Sequence, residues 1–287
     1  MGYMRYTKDD FDREFPYDAS CLEVVFQNRY GDLKACPKCG VENPKFYRIT
    51  FRKAYACKDC GHQLYPLAGT IFNKTTTPLR KWFYAIYLFS VSKNGVAAKE
   101  LVRHVGVSYP TAHRMEKQIR LLMQDDTNKL RKNKRPKQAD ETFIGGRRKQ
   151  SQVKDNKTAV LGVLEQGGWI KTRVADRALA RTAMPFLRDS IETGSILHTD
   201  ESQIYSTAKN YYDHYKVRHI SENWVEHGVH TNGIEGFWSQ LKRSVDGTYH
   251  AVSPYYLSSY VDEFAFRYNY RKQLIFPLLV ERAAKPF

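Results

Sequence analysis

Three acidic residues stand in contexts that suit a phosphodiester-cleaving site. Glu235 lies seven residues before Lys242, so about two helical turns would place both side chains on one helix face. Asp140 and Asp200 lie where strands should begin or end. Carboxylates from three separate elements are what a pair of magnesium (or manganese) ions needs for an in-line displacement at phosphorus. The sequence therefore predicts three catalytic metal ligands and points to the cutting and joining of DNA.

In this hypothesis each residue has its own role. Asp140 bridges the two ions, while Asp200 and Glu235 each complete one side. Lys242 holds a phosphate as a point charge. The simpler alternatives are that a lone aspartate after a strand is a cap, and that a Glu–Lys pair is a solvated helix face.

Three further side chains lie near these residues in the sequence, and two of them allow two interpretations. Glu141 should point to the strand face opposite Asp140, which ranks it second as a ligand. His198 shares a face with Asp200 and is either a hydrogen-bonded structural residue or a neighbour of the metals. Trp238 either stacks on an extruded base or is buried in the core.

The positive charge of the chain is concentrated in one part of it. The net charge is +16, and residues 36–137 carry 21 basic and 6 acidic side chains. A localised positive field predicts a docking surface for a polyanion such as double-stranded DNA. No apolar run approaches the ~20 residues of a membrane span, and the start lacks a signal-peptide pattern. We therefore expect a soluble cytoplasmic protein that associates with the nucleoid through DNA.

Four of the five cysteines form two CxxC pairs, each followed by glycine. They are Cys36, Cys39, Cys57 and Cys60. This spacing is typical of a closed four-thiolate zinc site with a structural role, and the strand-like segments between the pairs predict a zinc ribbon. Its basic and aromatic side chains suit DNA contact, and a protein-docking ribbon is the alternative. Cys21 is expected to be a buried thiol, and His62 is not needed as a ligand.

A helical region follows the ribbon. Pro78 opens one helix, and two shorter helices over residues 96–105 and 109–120 flank the turn at 106–108, with Ser108 as N-cap. This arrangement predicts a helix-turn-helix. The start of its second helix would face base edges through Tyr109, Thr111, His113 and Arg114. The following run, residues 129–137, has six basic side chains in nine positions and is interpreted as a solvated linker that can also follow a phosphate backbone.

The second half of the chain predicts an α/β core. Strands are predicted around Asp140 and at 158–164, 169–174, 195–199 and 216–220. A helix is predicted over residues 178–192, where Pro185 should break or kink it, and a later helix begins near Asn232. Three strands, a helix, a strand and a later helix is the order of an RNase H-like fold. The predicted fold class is therefore multidomain, with a zinc ribbon, a helix-turn-helix region and an α/β RNase H-like catalytic core.

The combined motifs resemble those of a known family. The motifs are the two CxxC pairs, the helix-turn-helix, Asp140–Gly146, His198–Asp200, Asn232-x-x-Glu235-x-x-Trp238-x-x-x-Lys242-Arg243 and Tyr260-x-x-Glu263-Phe264-x-x-Arg267-Tyr268-Asn269. From about residue 20 to about residue 280 the chain resembles bacterial insertion-sequence transposases with a zinc-ribbon front end, whose eukaryotic relatives are the Merlin elements. The resemblance implies DDE chemistry that cuts transposon ends and joins their 3′-hydroxyls to target DNA, with a homo-oligomer holding the ends.

Some points stay open at this stage. Some members of that group use asparagine as the third acid, and this chain carries both Asn232 and Glu235. Glu235 is assigned because Lys242 keeps its spacing from it, and Arg243 is expected to contact DNA. The alternative functions are a transposase-derived DNA-binding regulator with an inert core and a structure-directed nuclease without strand transfer.

The sequence also predicts a division into six segments. They are an N-terminal segment (1–35), the ribbon (36–66), the helical region (67–128), the basic linker (129–138), the catalytic core (139–250) and a C-terminal helical tail (251–287). The role of residues 1–35 cannot be inferred from the sequence.

Overall fold

The computed structural model describes residues 6–125, 129–145, 157–217 and 230–287. These residues form two compact units. The first comprises Met1–Ser92, Val96–Leu122 and Lys272–Phe287, counted over the described residues, and the second comprises Lys93–Gly95 and Met123–Arg271. The six-segment division stays a prediction. No helix in the described ranges combines the length and apolarity needed to cross a membrane.

The first unit contains a small sheet and six helices among the described residues. In chain order its elements are α1 (Lys8–Glu14), α2 (Asp18–Tyr30), β1 (Phe46–Ile49), β2 (Ala54–Cys57), β3 (Gln63–Leu64), α3 (Leu79–Val91), α4 (Ala98–Val105), α5 (Tyr109–Leu122) and α9 (Ile275–Ala284). The three strands pair antiparallel in the order β1-β2-β3. The predicted ribbon strands and the helix after Pro78 are confirmed.

The N-terminal helices build the core of this unit. Phe11 and Phe15 are buried and lie against aromatic rings of α3 and α9, including Phe83 at 4.9 Å and Phe276 at 5.8 Å from Phe15. The Asp18 carboxylate also accepts two backbone N–H groups at the start of α3, at 2.9 and 3.0 Å. These N–H groups have no intrahelical partner, so Asp18 caps α3 from a neighbouring helix. The described part of residues 1–35 therefore has a structural role.

Helices α4 and α5 are joined by a three-residue turn. Gly106 ends α4 with a φ of 65°, a left-handed conformation that favours glycine. The Lys81 ammonium donates to the Gly106 carbonyl at 2.6 Å. Within α5, the buried Glu116 and Arg120 lie 3.5 Å apart as an i,i+4 ion pair. The two helices predicted around this glycine turn are confirmed.

The second unit is a mixed sheet with helices on both faces. Its elements are β4 (Lys137–Ile144), β5 (Thr158–Glu165), β6 (Ile170–Ala175), α6 (Ala180–Ser190), β7 (Ile196–Thr199), β8 (Asp213–Lys216), α7 (Asn232–Ser244) and α8 (Leu257–Asn269). The strand order is β6-β5-β4-β7-β8. The pairs β4–β5 and β5–β6 are antiparallel, whereas β4–β7 and β7–β8 are parallel. The predicted hairpin of β5 and β6 is confirmed.

The sheet separates two apolar cores. Leu161 and Val163 of β5 pack with Leu187 of α6 on one face. Val160 and Leu164 point to the other face, where they pack with residues of α7 and α8. Because both faces of β5 are covered, its sequence is apolar almost throughout rather than alternating.

The prediction that Pro185 breaks its helix is wrong. Helix α6 runs as one element from Ala180 to Ser190 with Pro185 inside it. Proline removes a single backbone hydrogen bond there. The burial of Met184, Phe186 and Leu187 around it holds the helix against the sheet and offsets that loss.

Two other segments differ from their predictions. The last strand of the sheet covers Asp213–Lys216 rather than 216–220, and residues 218–220 lie outside the described residues. The basic run is only partly a solvated linker. Lys137 is fully buried as the first residue of β4, and its ammonium donates to Asn133 Oδ1 at 2.7 Å and lies 3.4 Å from Glu165. These acceptors compensate the burial of its charge.

The motif in α8 has a structural explanation. The Asn269 amide forms two hydrogen bonds with the backbone of Ile170, at 2.8 and 3.0 Å, and so occupies the edge of β6 as another strand would. Glu263 is fully buried and accepts from Arg267 at 2.7 Å and from the Tyr249 hydroxyl at 3.1 Å. These residues attach α8 to the sheet and to the segment after α7.

Candidate functional site

Asp140 lies in the middle of β4, on the face covered by α7. The backbone N–H of Glu141 donates to one carboxylate oxygen of Asp140 at 2.8 Å. The indole N–H of Trp238 donates to the other at 3.1 Å. Both oxygens therefore accept a bond from a fixed donor, which sets the orientation of the carboxylate.

The other two predicted ligands are each oriented by one local donor. Asp200 follows the end of β7, and its carboxylate accepts the backbone N–H of Ser202 at 3.1 Å. Glu235 lies in the first turn of α7, and the Thr231 hydroxyl donates to it at 2.5 Å. Because β4 and β7 are parallel neighbours, Asp140 and Asp200 lie toward the same end of the sheet.

The pKa of Asp140 responds to the other acids. Burial, together with the negative charges of Glu141, Asp200 and Glu235, raises the pKa of Asp140 to about 7, against the lowering effect of the Glu141 amide. Burial also raises the pKa of Glu141, with a contribution from Asp200. A bound cation would stabilise the charged form of such a carboxylate, so this group of acids is suited to binding one.

Glu141 lies on the sheet face opposite Asp140, as predicted. It accepts a hydrogen bond from the buried Tyr205 hydroxyl at 3.0 Å, and Tyr205 belongs to the core that packs on α6. Burial and the nearby Glu141 hold the pKa of Tyr205 well above its ordinary value, so the hydroxyl remains a donor.

Helix α7 packs closely against β5 at a glycine. Gly162 is the direct antiparallel neighbour of Asp140, and a Cβ on it would lie 2.5 Å from the Trp238 ring. The absence of a side chain at this position makes room for the indole that contacts Asp140. Trp238 is therefore a core residue, which decides between its two interpretations in favour of burial.

The start of α7 is held by the neighbouring strands. The Gln138 side chain of β4 accepts the Ile234 N–H at 3.1 Å, and its amide nitrogen lies 3.2 Å from His230 Nδ1. A Cβ on Gly233 would lie 2.7 Å from the same Gln138 oxygen. Asn232 is exposed and is the first residue of the helix rather than its N-cap, which is Thr231.

The ligand atoms of the acids are more widely spaced than those of the cysteines. Across the described ranges, only the four cysteines form a group of three or more potential ligands within 4.8 Å of one another. At least one pair among Asp140, Asp200 and Glu235 therefore lies farther apart than that. His198 is buried with its ring edge-on to Tyr215 at 5.9 Å, and burial lowers its pKa.

Lys242 and Arg243 lie in the last turn of α7 and are exposed. Neither side chain makes an ion pair or hydrogen bond with another residue that the structure describes. Lys242 follows Glu235 by seven residues on the same helix, as its predicted role requires.

The four predicted zinc ligands converge in the ribbon. Their sulfur atoms all lie within 4.8 Å of one another, and Cys36 and Cys60 are 3.7 Å apart. A tetrahedron with Zn–S bonds of about 2.3 Å has edges of about 3.8 Å, so the geometry fits zinc. Backbone N–H groups of Cys39 and Lys38 lower the pKa of Cys36 to about 6, which favours the thiolate that a metal binds. Both knuckles turn at glycines with positive φ.

The predicted DNA-contacting residues of α5 differ in the contacts that their side chains make within the protein. Tyr109 is 53 % exposed and lies beside His113, with ring centroids 6.2 Å apart. Thr111 contacts the Ser108 hydroxyl at 3.0 Å. The Arg114 guanidinium donates to the Asn73 carbonyl at 3.2 Å, so it is partly engaged within its own unit.

Comparison with known families decides the affiliation of the chain. Residues 136–269 match the ISXO2-like transposase domain, and residues 16–63 match the transposase zinc-ribbon domain. Together the two matches span more than half of the chain. The chain carries an ISXO2-like transposase domain and, before it, a transposase zinc ribbon. The transposase-domain match contains all three predicted metal ligands, and the zinc-ribbon match contains all four cysteines.

Two other proteins are similar to this chain over about a third of its length. One is an uncharacterized protein in transposable element ISH50 of Halobacterium salinarum, 30 % identical over 105 residues, which are 36 % of this chain and 34 % of the relative. The other is an uncharacterized transposase-like protein of Haemophilus influenzae, 25 % identical over 101 residues, which are 35 % of this chain and 80 % of that protein. The match to the Halobacterium protein thus spans about a third of that protein's length.

Sequence reasoning missed the residues that position the acids. Gly162 carries a signal, because a glycine inside an apolar strand often marks a close approach by another element. Gln138 carries none, since its partner Ile234 becomes a neighbour only after α7 packs on the sheet. Thr231 lies four residues before Glu235, so its hydrogen bond is local to the start of α7.

We predict that Cys57→Ser abolishes zinc binding and unfolds the ribbon, because three thiolates leave a structural site incomplete. Zinc content per chain should fall toward zero, and the amides of Ala54–Cys57 should lose protection from hydrogen exchange. Cys21→Ala is the matched control, because Cys21 is a buried thiol outside the cluster and should leave zinc content unchanged. Full zinc content in Cys57→Ser would contradict the assignment.

We predict a pH-dependent stability that originates at Asp140. Its folded pKa of about 7 exceeds the unfolded value near 3.8, so its contribution is present at low pH and lost as the pH rises through about 7. Between about pH 6 and about pH 8, without added magnesium, the wild type should lose about 1 kcal/mol more unfolding free energy than Asp140→Asn. Urea unfolding measures this difference.

Magnesium should remove that loss in the wild type but not in Asp140→Asn. Asp262→Asn is the control, because burial raises the pKa of Asp262 to about 6 on a different element. This variant should change the pH profile and leave the magnesium effect intact. Identical profiles for the wild type and Asp140→Asn would show that Asp140 is not the group responsible.

Proposed function

We propose that this protein is a transposase. It binds the terminal inverted repeats of a mobile element, cleaves the ends and joins their 3′-hydroxyls to target DNA. The observation that carries this proposal is that the charges of Asp200 and Glu235 act on the partly buried Asp140, from three separate elements of the segment that matches the transposase domain.

The acids fit a pair of Mg²⁺ or Mn²⁺ ions. Asp140, Asp200 and Glu235 offer hard oxygen ligands, and burial together with nearby negative charges raises the pKa of Asp140, which a bound cation would counteract. When bound, two such ions activate the attacking oxygen and stabilise the leaving oxygen. Ligands on opposite sides of two ions about 3.5–4 Å apart need not lie within 4.8 Å of one another, so the wider spacing of the acids does not exclude a shared pair.

The surrounding residues keep the acids ready for this work. Trp238 and the Glu141 amide fix the Asp140 carboxylate, and Thr231 fixes Glu235. Donors of this kind reduce the reorganisation needed when a ligand binds, as outer partners do in other metal sites. Glu141 stays on the opposite face, where Tyr205 holds it.

An RNase H-like core is the architecture that we infer for the second unit. The antiparallel strands β4, β5 and β6, with β7 and β8 parallel to β4, support it. So do the places of the acids, which lie on the first strand of the sheet, after the fourth and on a late helix.

Recognition of DNA is assigned to the first unit and to the end of α7. Helices α4 and α5 would act as a helix-turn-helix, with Tyr109, Thr111, His113 and Arg114 near base edges or phosphates. Lys242 and Arg243 would hold phosphates near the cleaved bond, since both are exposed in the helix that carries Glu235.

We infer a homo-oligomer from the proposed reaction, not from an observed contact between subunits. Strand transfer requires two transposon ends at one target, and each end needs an active site. We therefore propose a dimer or larger assembly on DNA.

We predict that Asp140→Asn, Asp200→Asn and Glu235→Gln each lower magnesium-dependent cleavage about a thousandfold or more, because each removes a metal ligand worth several kcal/mol. The substrate is DNA that flanks this reading frame on both sides, and products are resolved on sequencing gels. Binding of the same DNA should change less than about twofold, since the binding surfaces are unaltered.

Glu201→Gln is the matched control, because Glu201 is an exposed acid next to Asp200 and should retain cleavage. Undiminished cleavage by one of the three variants would overturn that residue's assignment. DNA binding by a wild-type protein that never cleaves would instead favour the regulator, and cleavage without joining would favour the nuclease.

A further inference from the structure

The tip of the ribbon hairpin presents an apolar ring to solvent. Residues 50–53 connect β1 to β2, and the Arg52 N–H donates to the Ile49 carbonyl at 3.3 Å to close the turn. Phe51 occupies the corner of this turn and is 81 % exposed. A single exposed apolar residue is ordinary on a protein surface, so the surroundings of Phe51 decide what it can do.

The hairpin that carries Phe51 is anchored to the rest of the unit through residues of β2. The Tyr55 ring of β2 stacks on Phe26 of α2 at 3.9 Å, and its hydroxyl donates to Glu23 at 2.6 Å. Cys57, in the same strand, belongs to the four-cysteine cluster. An anchored hairpin loses little conformational entropy when its tip inserts into a partner.

The charge around the tip is positive. Five exposed basic side chains lie on or beside the hairpin: Lys45, Arg48, Arg52, Lys53 and Lys58. The Arg52 guanidinium lies 5.5 Å from the centre of the Phe51 ring. Protein-docking surfaces are depleted in lysine at their centres, whereas phosphate-binding surfaces are enriched in it. The charge therefore favours DNA over a protein partner.

We propose that the hairpin tip binds double-stranded DNA by inserting Phe51 between adjacent base pairs, while Arg48 and Arg52 hold the flanking phosphates. This inference rests on the proposed function, because it takes DNA as the partner. Apolar wedges of this kind unstack one base step and kink the duplex, which allows more protein surface to contact it. The ribbon would then have two roles, a zinc-stabilised fold and a device that bends DNA.

The test measures DNA bending and affinity with the full-length, zinc-loaded protein. The probe is a duplex of about 30 bp with a central TA step, which kinks easily, labelled at both ends for energy transfer. The wild type should bring the two labels closer together. Phe51→Ala should abolish this bend and weaken binding about tenfold, the loss expected for one stacking contact. Phe51→Leu should preserve the bend, because leucine also acts as a wedge.

Two further variants complete the experiment. Arg52→Gln should lower the salt dependence of binding by about one released counterion. Tyr17→Ala is the matched control, because Tyr17 is a 73 % exposed aromatic residue of the same unit outside the hairpin, and its removal should change neither bend nor affinity. Zinc content verifies that each ribbon is folded.

The possible outcomes separate the two proposals. Equal bending and affinity in the wild type and Phe51→Ala would overturn the wedge and leave the transposase assignment standing. Loss of the bend in Phe51→Leu as well as Phe51→Ala would also overturn an apolar wedge. A wild type that binds no duplex at all would overturn both proposals.

Discussion

The packing of α7 on the sheet is the interaction on which the candidate site depends. Its centre is the hydrogen bond from Trp238 to Asp140, which is possible only because Gly162 leaves space for the indole ring. Glu235 lies one turn earlier on the same helix, and its negative charge acts on Asp140. A desolvated carboxylate near like charges is unfavourable by itself, which lowers stability at neutral pH, and the proposed cations would offset this cost.

The rest of the second unit keeps this helix in place. The Gln138 side chain of β4 accepts a hydrogen bond from the first turn of α7. The buried Glu263 accepts a hydrogen bond from the hydroxyl of Tyr249, which follows the end of α7. Asn269 closes the edge of β6 with two backbone hydrogen bonds. Gln138 and Asn269, at the two ends of the segment that matches the transposase domain, therefore have structural roles. The sequence alone does not distinguish such residues from catalytic ones. In the first unit, Asp18 has a comparable role as the cap of α3.

Local signals were sufficient to predict most elements and all four cysteine ligands. The CxxC spacing, the glycine turn before α5 and the apolar run of β5 are patterns that depend on near neighbours in sequence. The errors came where tertiary packing outweighs local preference. Pro185 stays inside a helix because its neighbours are buried, and Lys137 leaves the basic run because Asn133 and Glu165 supply acceptors. The three acids were selected by type and position, but the hydrogen bond from Trp238 to Asp140 depends on packing that no short pattern contains.

The central claim is that Asp140, Asp200 and Glu235 together hold a pair of divalent cations. Anomalous diffraction at the manganese edge, from crystals of the full chain grown with Mn²⁺, tests this directly. We predict two neighbouring manganese peaks, with oxygen atoms of all three carboxylates among their ligands and Asp140 common to both. The absence of manganese beside Asp140, or ions held by other side chains, would contradict the account.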